Sequence, residues 1–330
     1  MPRTIESALK QLIENDVNMP ADRVSKARGS RDWLLNNIKK FETNEEHLYF
    51  EDGFNMQFGS FSRKTKIRPI DDIDLMIGLN GHKLYWDDNV LNYKDCSVHL
   101  KYGVDAGLWR NCLNDDNSLN STKLLNVFKS ALFNISHYEN ADIHRMQQAV
   151  TLKLSSYEWN FDLVPCFYTT SGVYLIPNGR GKWMKTDPRK DKELVTSVNQ
   201  QHSGKFLELV RLMKYWNSKS FTNKPKFNSP YLLEVMLSNY YQRKTSLGNL
   251  EKEFEDCLLY VSCYLDFDVQ DPKGIEGNIN RLTCDERKSL KERMENDLKQ
   301  IQQANNRSLN SEKFIYWKCV LGKEFPDYGA

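Results

Sequence analysis

The pattern of hydrophobic and polar residues predicts a mixed segment of strands and helices followed by a helical one. Apolar residues recur at helical spacing in two N-terminal stretches, 5–15 and 21–41. Further on they fall in short runs bounded by turn residues, which is typical of strands. The predicted strands are 54–61, 73–79, 149–155, 159–167, 172–176 and 182–184, with a helix at 121–136.

After Pro188 the pattern is mostly helical. Leu209 and Met213 lie on one side of a helix predicted at 204–218. Thr283 and Glu286 form a capping-box pattern at the head of another helix. The remaining predicted helices are 230–243, 250–265 and 314–321.

The length and this change of character predict an α+β fold in two domains. The chain has 330 residues, of which 40% are hydrophobic, so it is long enough for two packed lobes. We expect a sheet-bearing core with N-terminal helices at 1–195 and a helical C-terminal lobe at 196–330.

Charge and cysteine content exclude several classes of protein. Lys and Arg number 46 and Asp and Glu 44, a net charge of +2, which suits a small charged ligand better than a long polyanion. The seven cysteines form no Cys-x-x-Cys pair, so neither a disulfide framework nor a zinc ribbon is indicated. We recognise no signal peptide and no membrane-spanning run, and we expect a cytoplasmic protein.

Two carboxylates spaced i, i+2 at the start of a predicted strand are the strongest chemical signal. Strand alternation places Asp72 and Asp74 on one face and Asp71, with Ile73, on the other. Neighbouring carboxylates repel unless a cation lies between them. The pair therefore predicts a divalent metal site, with two Mg²⁺ ions as the expected occupants and Mn²⁺ as a substitute.

Asp162 is the expected third acid of this site. It stands between Phe161 and Leu163 in a predicted core strand, where a lone carboxylate is costly unless it is paired or bound to metal. It is also the candidate general base.

A Gly59-Ser60 turn precedes the acidic strand and is expected to hold phosphates. Glycine allows close backbone approach, and the following amides and the serine hydroxyl donate to phosphate oxygens. A second such dipeptide, Gly29-Ser30, precedes a helical pattern and no acidic strand, so we assign it no role.

These segments together resemble the DNA polymerase β-type nucleotidyltransferase superfamily. Three downstream segments are similar to its cGAS/DncV-like bacterial branch, and the resemblance spans about 45–240. It implies a polymerase β-like mixed sheet with N-terminal helices, a helical C-terminal lobe and an active-site cleft between the lobes. The downstream segments are Thr186-Asp187-Pro188, Arg211-Leu212-Met213-Lys214-Tyr215-Trp216 and Ser229-Pro230-Tyr231-Leu232-Leu233-Glu234.

The resemblance implies Mg²⁺-dependent condensation of nucleoside triphosphates, ATP or GTP or both, into a cyclic di- or trinucleotide with release of pyrophosphate. Such enzymes are the synthases of CBASS antiphage systems, and their product activates a separate effector. It assigns the metals to Asp72, Asp74 and Asp162 and the donor triphosphate to Gly59 and Ser60.

Further residues carry over from the family as nucleotide contacts. Lys214 and Ser229 are expected to bind the donor phosphates, although a surface lysine and a helix N-cap are the structural alternatives. Trp183 and Tyr231 are candidates for base stacking, with core packing as the alternative. His202 has no cysteine nearby, so we expect no zinc module for DNA sensing.

Other functions and partners stay open at this point. A nucleotidyltransferase that makes linear oligonucleotides or tails RNA fits the same three carboxylates, and a non-catalytic binding protein could keep the fold. The small-residue ending is compatible with a ubiquitin-transfer-like CBASS partner that conjugates the synthase through its C-terminus.

Overall fold

A computed structural model describes residues 1–40, 48–87, 92–138, 141–219 and 224–329. The chain forms two compact units. The sheet unit comprises Pro20–Ser62 and Ile70–Arg189, and the helical unit comprises Met1–Met19, Arg63–Pro69 and Lys190–Ala330. The short segment Arg63–Pro69 therefore belongs with the helices, although it lies between two parts of the sheet unit in sequence.

A seven-stranded mixed sheet forms the sheet unit. Its central pair, β2 and β7, is parallel, whereas the other pairings are antiparallel. The order is β1-β2-β7-β6-β5, and β8 pairs with both β7 and β9. The strands are β1 Met56–Gln57, β2 Asp72–Gly78, β5 Asp142–Met146, β6 Ala149–Lys153, β7 Asn160–Tyr168, β8 Tyr174–Pro177 and β9 Trp183–Thr186, while β3 Leu84–Trp86 and β4 Val98–Leu100 form a separate pair.

Burial explains why β2 and β7 lie at the centre of the sheet. Past their carboxylates both strands are almost continuously apolar, as expected for parallel strands that are covered on both faces. The helices of this unit are α2 Ala21–Lys39, the single turn α3 Gly59–Ser62 and α4 Ser121–Leu132, and its 3₁₀ turns are Asp52–Phe54, Gly107–Cys112 and Ser136–Tyr138.

The helical unit packs around one large apolar core that includes Trp216 and Trp317. The predicted capping box at Thr283 and Glu286 is confirmed, because each side chain bonds the other residue's backbone N–H. The helices are α1 Ile5–Leu12, which continues as a π-helical turn Ile13–Val17, then α5 Pro188–Gln201, α6 Phe206–Lys219, α7 Pro230–Tyr241, α8 Leu250–Tyr264, α9 Cys284–Asn305 and α10 Asn310–Leu321.

The α+β class and the mixed sheet are as predicted, but some elements differ. The strand predicted at 54–61 is confined to Met56–Gln57, because the chain turns into α3 at Gly59. Strand β5 was not predicted, since its exposed and polar residues carry little hydrophobic alternation. The helix predicted at 21–41 ends at Lys39, and residue 41 lies outside the described residues. The division into 1–195 and 196–330 stays a prediction.

Candidate active site

The carboxylates of Asp72 and Asp74 occupy one face of β2. Ile73, between them, is fully buried on the opposite face, whereas both aspartates are half-buried. Asp71 precedes the strand and is exposed, and its carbonyl accepts a hydrogen bond from the Asn160 N–H at 2.9 Å. The strand thus presents two neighbouring acids, as the alternation predicts.

The parallel pairing of β2 with β7 brings the third acid to them. In this register Asp74 lies opposite Asp162. Each of Asp72, Asp74 and Asp162 offers a carboxylate oxygen, and these oxygens lie within 4.8 Å of one another. Three half-buried carboxylates this close repel, and hard oxygen donors are the ligands that Mg²⁺ and Mn²⁺ prefer. The donor set therefore fits a divalent cation.

Strand β6 supplies a residue that sequence reasoning missed. Thr151 lies opposite Asp162 in the antiparallel β6–β7 pairing, and its hydroxyl donates to Asp162 Oδ1 at 2.7 Å. Thr151 is only 5% exposed, so its hydroxyl is held in place. It fixes one oxygen of Asp162, as residues around metal ligands commonly do. Nothing in the sequence singles out this threonine.

Gly59 approaches Asp74 so closely that no side chain would fit. Its φ is +69°, and a Cβ built there would lie 1.8 Å from Asp74 Oδ2. The N–H of the preceding Phe58 donates to the Asp74 carbonyl at 3.1 Å. The predicted Gly59-Ser60 turn is therefore packed against the carboxylate of Asp74, and Ser60 follows in α3.

Lys214 and Ser229 lie in the helical unit. Lys214, on α6, is 8% exposed, and its Nζ lies 3.6 Å from Glu234 Oε2. Burial lowers the pKa of Lys214, and the nearby Arg63 and Lys66 lower it further, whereas Glu234 opposes the shift. Ser229 is the exposed N-cap of α7 with Pro230 after it, and its side chain makes no capping hydrogen bond. Lys214 is thus not a plain surface lysine.

The two aromatic candidates differ from each other. Trp183 is fully buried and its indole N–H donates to the Leu119 carbonyl at 2.9 Å, so it is a core residue and base stacking by it is wrong. Tyr231 is half-buried, and its hydroxyl donates to Asp191 at 2.6 Å. Lys273 Nζ lies 4.9 Å from the Tyr231 ring centroid.

Comparison with known proteins agrees with this architecture. A family model described as the Second Messenger Oligonucleotide or Dinucleotide Synthetase domain matches residues 99–199. A Bacillus cereus protein named "Probable cyclic nucleotide synthase" is 37% identical over 338 residues, covering 99% of each chain. A cyclic AMP-AMP-AMP synthase of an Acinetobacter species is 28% identical over 235 residues, which are 66% of this chain and 63% of that relative.

Solved structures show the same fold at low sequence identity. Escherichia coli CdnC, determined with ATP, superposes with a TM-score of 0.72 at 16% identity, covering 97% of this chain and 98% of CdnC. Apo DncV of Vibrio cholerae gives a TM-score of 0.68 at 13% identity, with 98% and 97% covered. The structure of a CdnC:HORMA-deltaN complex from Escherichia coli gives a TM-score of 0.71 at 16% identity, covering 97% of this chain and 98% of that chain.

The fold and the relatives define a nucleotidyltransferase. Within that class, the chain belongs to the cGAS/DncV-like nucleotidyltransferases, because a relative 37% identical to it spans almost its entire length. The resemblance inferred from the sequence motifs is therefore confirmed. In the part of the chain that the structure describes, no helix is long and apolar enough to cross a membrane.

Proposed function

We propose that this protein is a divalent-metal-dependent synthase that joins nucleoside triphosphates into a cyclic di- or trinucleotide. The observation that carries the proposal is the cluster of Asp72, Asp74 and Asp162, whose carboxylate oxygens lie within 4.8 Å of one another on adjacent strands. The relatives named as cyclic nucleotide synthases support a cyclic product.

The three aspartates would hold two Mg²⁺ ions, with Mn²⁺ as a substitute. Bound metal ions would neutralise the charge that builds up on the transferring phosphoryl group and on the attacking and leaving oxygens. Asp72 and Asp74 share a strand face and Asp162 faces them from the neighbouring strand, so the carboxylates are suited to share cations between them. The thermal stability of the protein with and without Mg²⁺ tests this assignment.

The chemistry would be an in-line displacement. A ribose hydroxyl oxygen forms a bond to the α-phosphorus of the donor nucleotide, and the bond from that phosphorus to pyrophosphate breaks. The hydroxyl proton passes to Asp162, whose Oδ1 is already bonded to the Thr151 hydroxyl, so Oδ2 is the oxygen we assign to this role. Further transfers of the same kind complete the product: the second closes the ring of a dinucleotide, and the third closes that of a trinucleotide, each with release of one pyrophosphate.

The phosphate contacts are proposed from the sequence pattern together with the local structure. Gly59 and Ser60 would contact the donor triphosphate, and the absence of a side chain at Gly59 lets the backbone lie against Asp74. Lys214 and Ser229 would add a charge and a hydroxyl. The Ser229 hydroxyl makes no capping hydrogen bond, which is compatible with such a contact. ATP and GTP are the expected substrates. Two structural neighbours have been solved with such nucleotides: CdnC with ATP, and a DncV mutant with ATP and GTP.

The product itself distinguishes this function from its alternatives. Incubation with ribonucleotides labelled at the α-phosphate and Mg²⁺, followed by phosphatase, leaves a cyclic product unchanged, because it has no terminal phosphate, whereas a linear product loses its terminal phosphates and changes mobility. A product whose mobility changes on phosphatase treatment would instead indicate a linear oligonucleotide synthase or an RNA-tailing enzyme. Absence of any product from the wild-type chain under all metal and nucleotide combinations would favour a non-catalytic binding protein.

We further propose that the product is a signal in antiphage defence of the CBASS type, acting on a separate effector. The support is family membership, and the HORMA complex of CdnC shows that one structural neighbour has a protein partner. A ubiquitin-transfer-like protein that conjugates the synthase through its C-terminus is another accessory partner that fits this role. Plaque counts on cells that carry the surrounding genes, compared with the same cells carrying Asp74→Ala, test the role: equal counts would contradict it.

A further inference from the structure

The segment Arg63–Pro69 lies between the two catalytic parts of the sequence. It follows α3, which contains Gly59 and Ser60, and two residues separate its end from Asp72. Its backbone is hydrogen-bonded to other parts of the helical unit. Arg68 N–H donates to the Val17 carbonyl at 3.1 Å, and Arg211 Nη1 donates to the Lys64 carbonyl at 2.9 Å. The segment is therefore anchored through its backbone at both of these positions.

A buried carboxylate, Glu234, binds two side chains of the same segment. Glu234, in α7, is 1% exposed and accepts hydrogen bonds from Arg63 Nε and, at 2.8 Å, from Thr65 Oγ1. Its Oε2 also lies 3.6 Å from Lys214 Nζ. The same carboxylate thus holds two side chains of the segment and the lysine that we assign to the donor phosphates.

The charges around Glu234 show why a neutral residue would not replace it. Burial alone would raise the pKa of Glu234, but Arg63, Lys214 and the Thr65 hydroxyl together lower it, so the group is ionised at neutral pH. Without this negative charge, the buried cations Arg63 and Lys214 would lose the carboxylate that both of them face, and Arg63 would keep the weaker attraction of Asp191. Loss of one partner of a buried charge pair is costly in a protein interior.

We propose that Glu234 is a positioning residue for nucleotidyl transfer: it holds Arg63 and Thr65, and through them the chain that leads from the Gly59-Ser60 turn to Asp72, and it orients Lys214. The proposal rests on the proposed function for its kinetic readout. Its structural readout, the order of segment 63–69, does not depend on what the enzyme makes.

The test compares Glu234→Gln with Glu253→Gln as a matched control. Glu253 is a second buried helix carboxylate of the same unit, 3% exposed and paired with Lys244 at 2.6 Å, but it bonds Tyr241 and the Gly248 N–H rather than segment 63–69. Both variants lose a buried charge, so both should be less stable. We expect the kcat for pyrophosphate release to fall roughly tenfold to a hundredfold more in Glu234→Gln than in the control.

Hydrogen exchange supplies the readout that is independent of activity. We expect faster amide exchange in peptides covering residues 63–69 of Glu234→Gln, but not of Glu253→Gln. Thr65→Val, which removes the hydroxyl that bonds Glu234 and keeps Arg63 and Lys214 paired with it, should shift both exchange and kcat in the same direction by less, and Glu234→Asp should restore part of each. If Glu234→Gln does not fold, Thr65→Val takes its place in the test.

The proposal is overturned if the Glu234 and Glu253 variants lose kcat equally, or if exchange of segment 63–69 is unchanged in Glu234→Gln. A wild-type chain that makes no product would instead refute the proposed function, and in that case the exchange measurement still decides whether Glu234 orders the segment.

Discussion

Asp74 on β2 lies directly opposite Asp162 on β7, in the parallel pair at the centre of the sheet. In register across a parallel pair, both side chains leave the same face of the sheet, so two carboxylates that are far apart in sequence become neighbours. With Asp72 they form a compact acidic cluster. Such a cluster is unfavourable without a cation, and this has measurable consequences.

Replacement of Asp74 by Asn should reduce turnover at least about 100-fold while the fold is kept. Without divalent metal, its thermal midpoint should equal or exceed that of the wild type, because one repulsive charge is gone. Addition of Mg²⁺ should stabilise the wild type and have little effect on the variant. Asp71→Asn is the matched control, since the neighbouring Asp71 is exposed and precedes the strand. Full activity of Asp74→Asn would refute the site.

Replacement of Gly59 by Ala should abolish activity and destabilise the protein. The left-handed conformation alone costs about 1–2 kcal/mol for a residue with a Cβ, and the new methyl would collide with Asp74 Oδ2. Gly29→Ala serves as the control, because a Cβ at Gly29 meets nothing within 4 Å and lies in helix α2. There we expect a gain of about 0.5–1 kcal/mol and unchanged kinetics. Chemical denaturation measures the stability of the two variants, and initial rates measure their activity. An active Gly59→Ala would contradict the close approach of Gly59 to Asp74.

Replacement of Thr151 by Val should lower metal affinity or turnover roughly tenfold to a hundredfold, which is the usual effect of losing a hydrogen bond to a metal ligand. The shapes of the two side chains match, so the change removes the hydroxyl that bonds Asp162 Oδ1 and little else. Titration with Mg²⁺ at saturating nucleotide separates affinity from rate. Thr151→Ser keeps a hydroxyl and should recover most of the loss; a serine variant as weak as the valine one would indicate a packing role instead.

The stabilising effect of Glu234 should depend on pH. Its pKa in the folded protein lies below the usual 4.5, so its ion pairs contribute stability above that value and lose it as the pH falls through the folded pKa. Urea midpoints of the wild type and Glu234→Gln should therefore differ most at neutral pH and converge in acid well below pH 4.5. A gap between the midpoints that stays constant over this range would show that Glu234 is not ionised in the native state.

Much of the fold was predictable because it rests on local patterns. The capping box at Thr283 and Glu286 and the alternation around Ile73 each involve residues close in sequence, and both are found as expected. The predicted strand 54–61 was wrong over most of its length, since the turn at Gly59 is set by its packing against Asp74. Strand β5 was missed because it is stabilised by pairing with β6 rather than by burial of an apolar face.

The sequence by itself determined which residues are the candidates for the chemistry, because side-chain alternation and the conformational freedom of glycine are properties of a few consecutive residues. Local pattern alone places Asp72 and Asp74 on one face of β2. It also marks Gly59 as the turn residue that precedes them. Only the tertiary structure decided that Asp162 stands opposite Asp74, that Thr151 holds it, and that Glu234 joins Arg63 to Lys214. These relationships depend on strand register and on the burial of charges between residues that are distant in the chain, which no local pattern specifies.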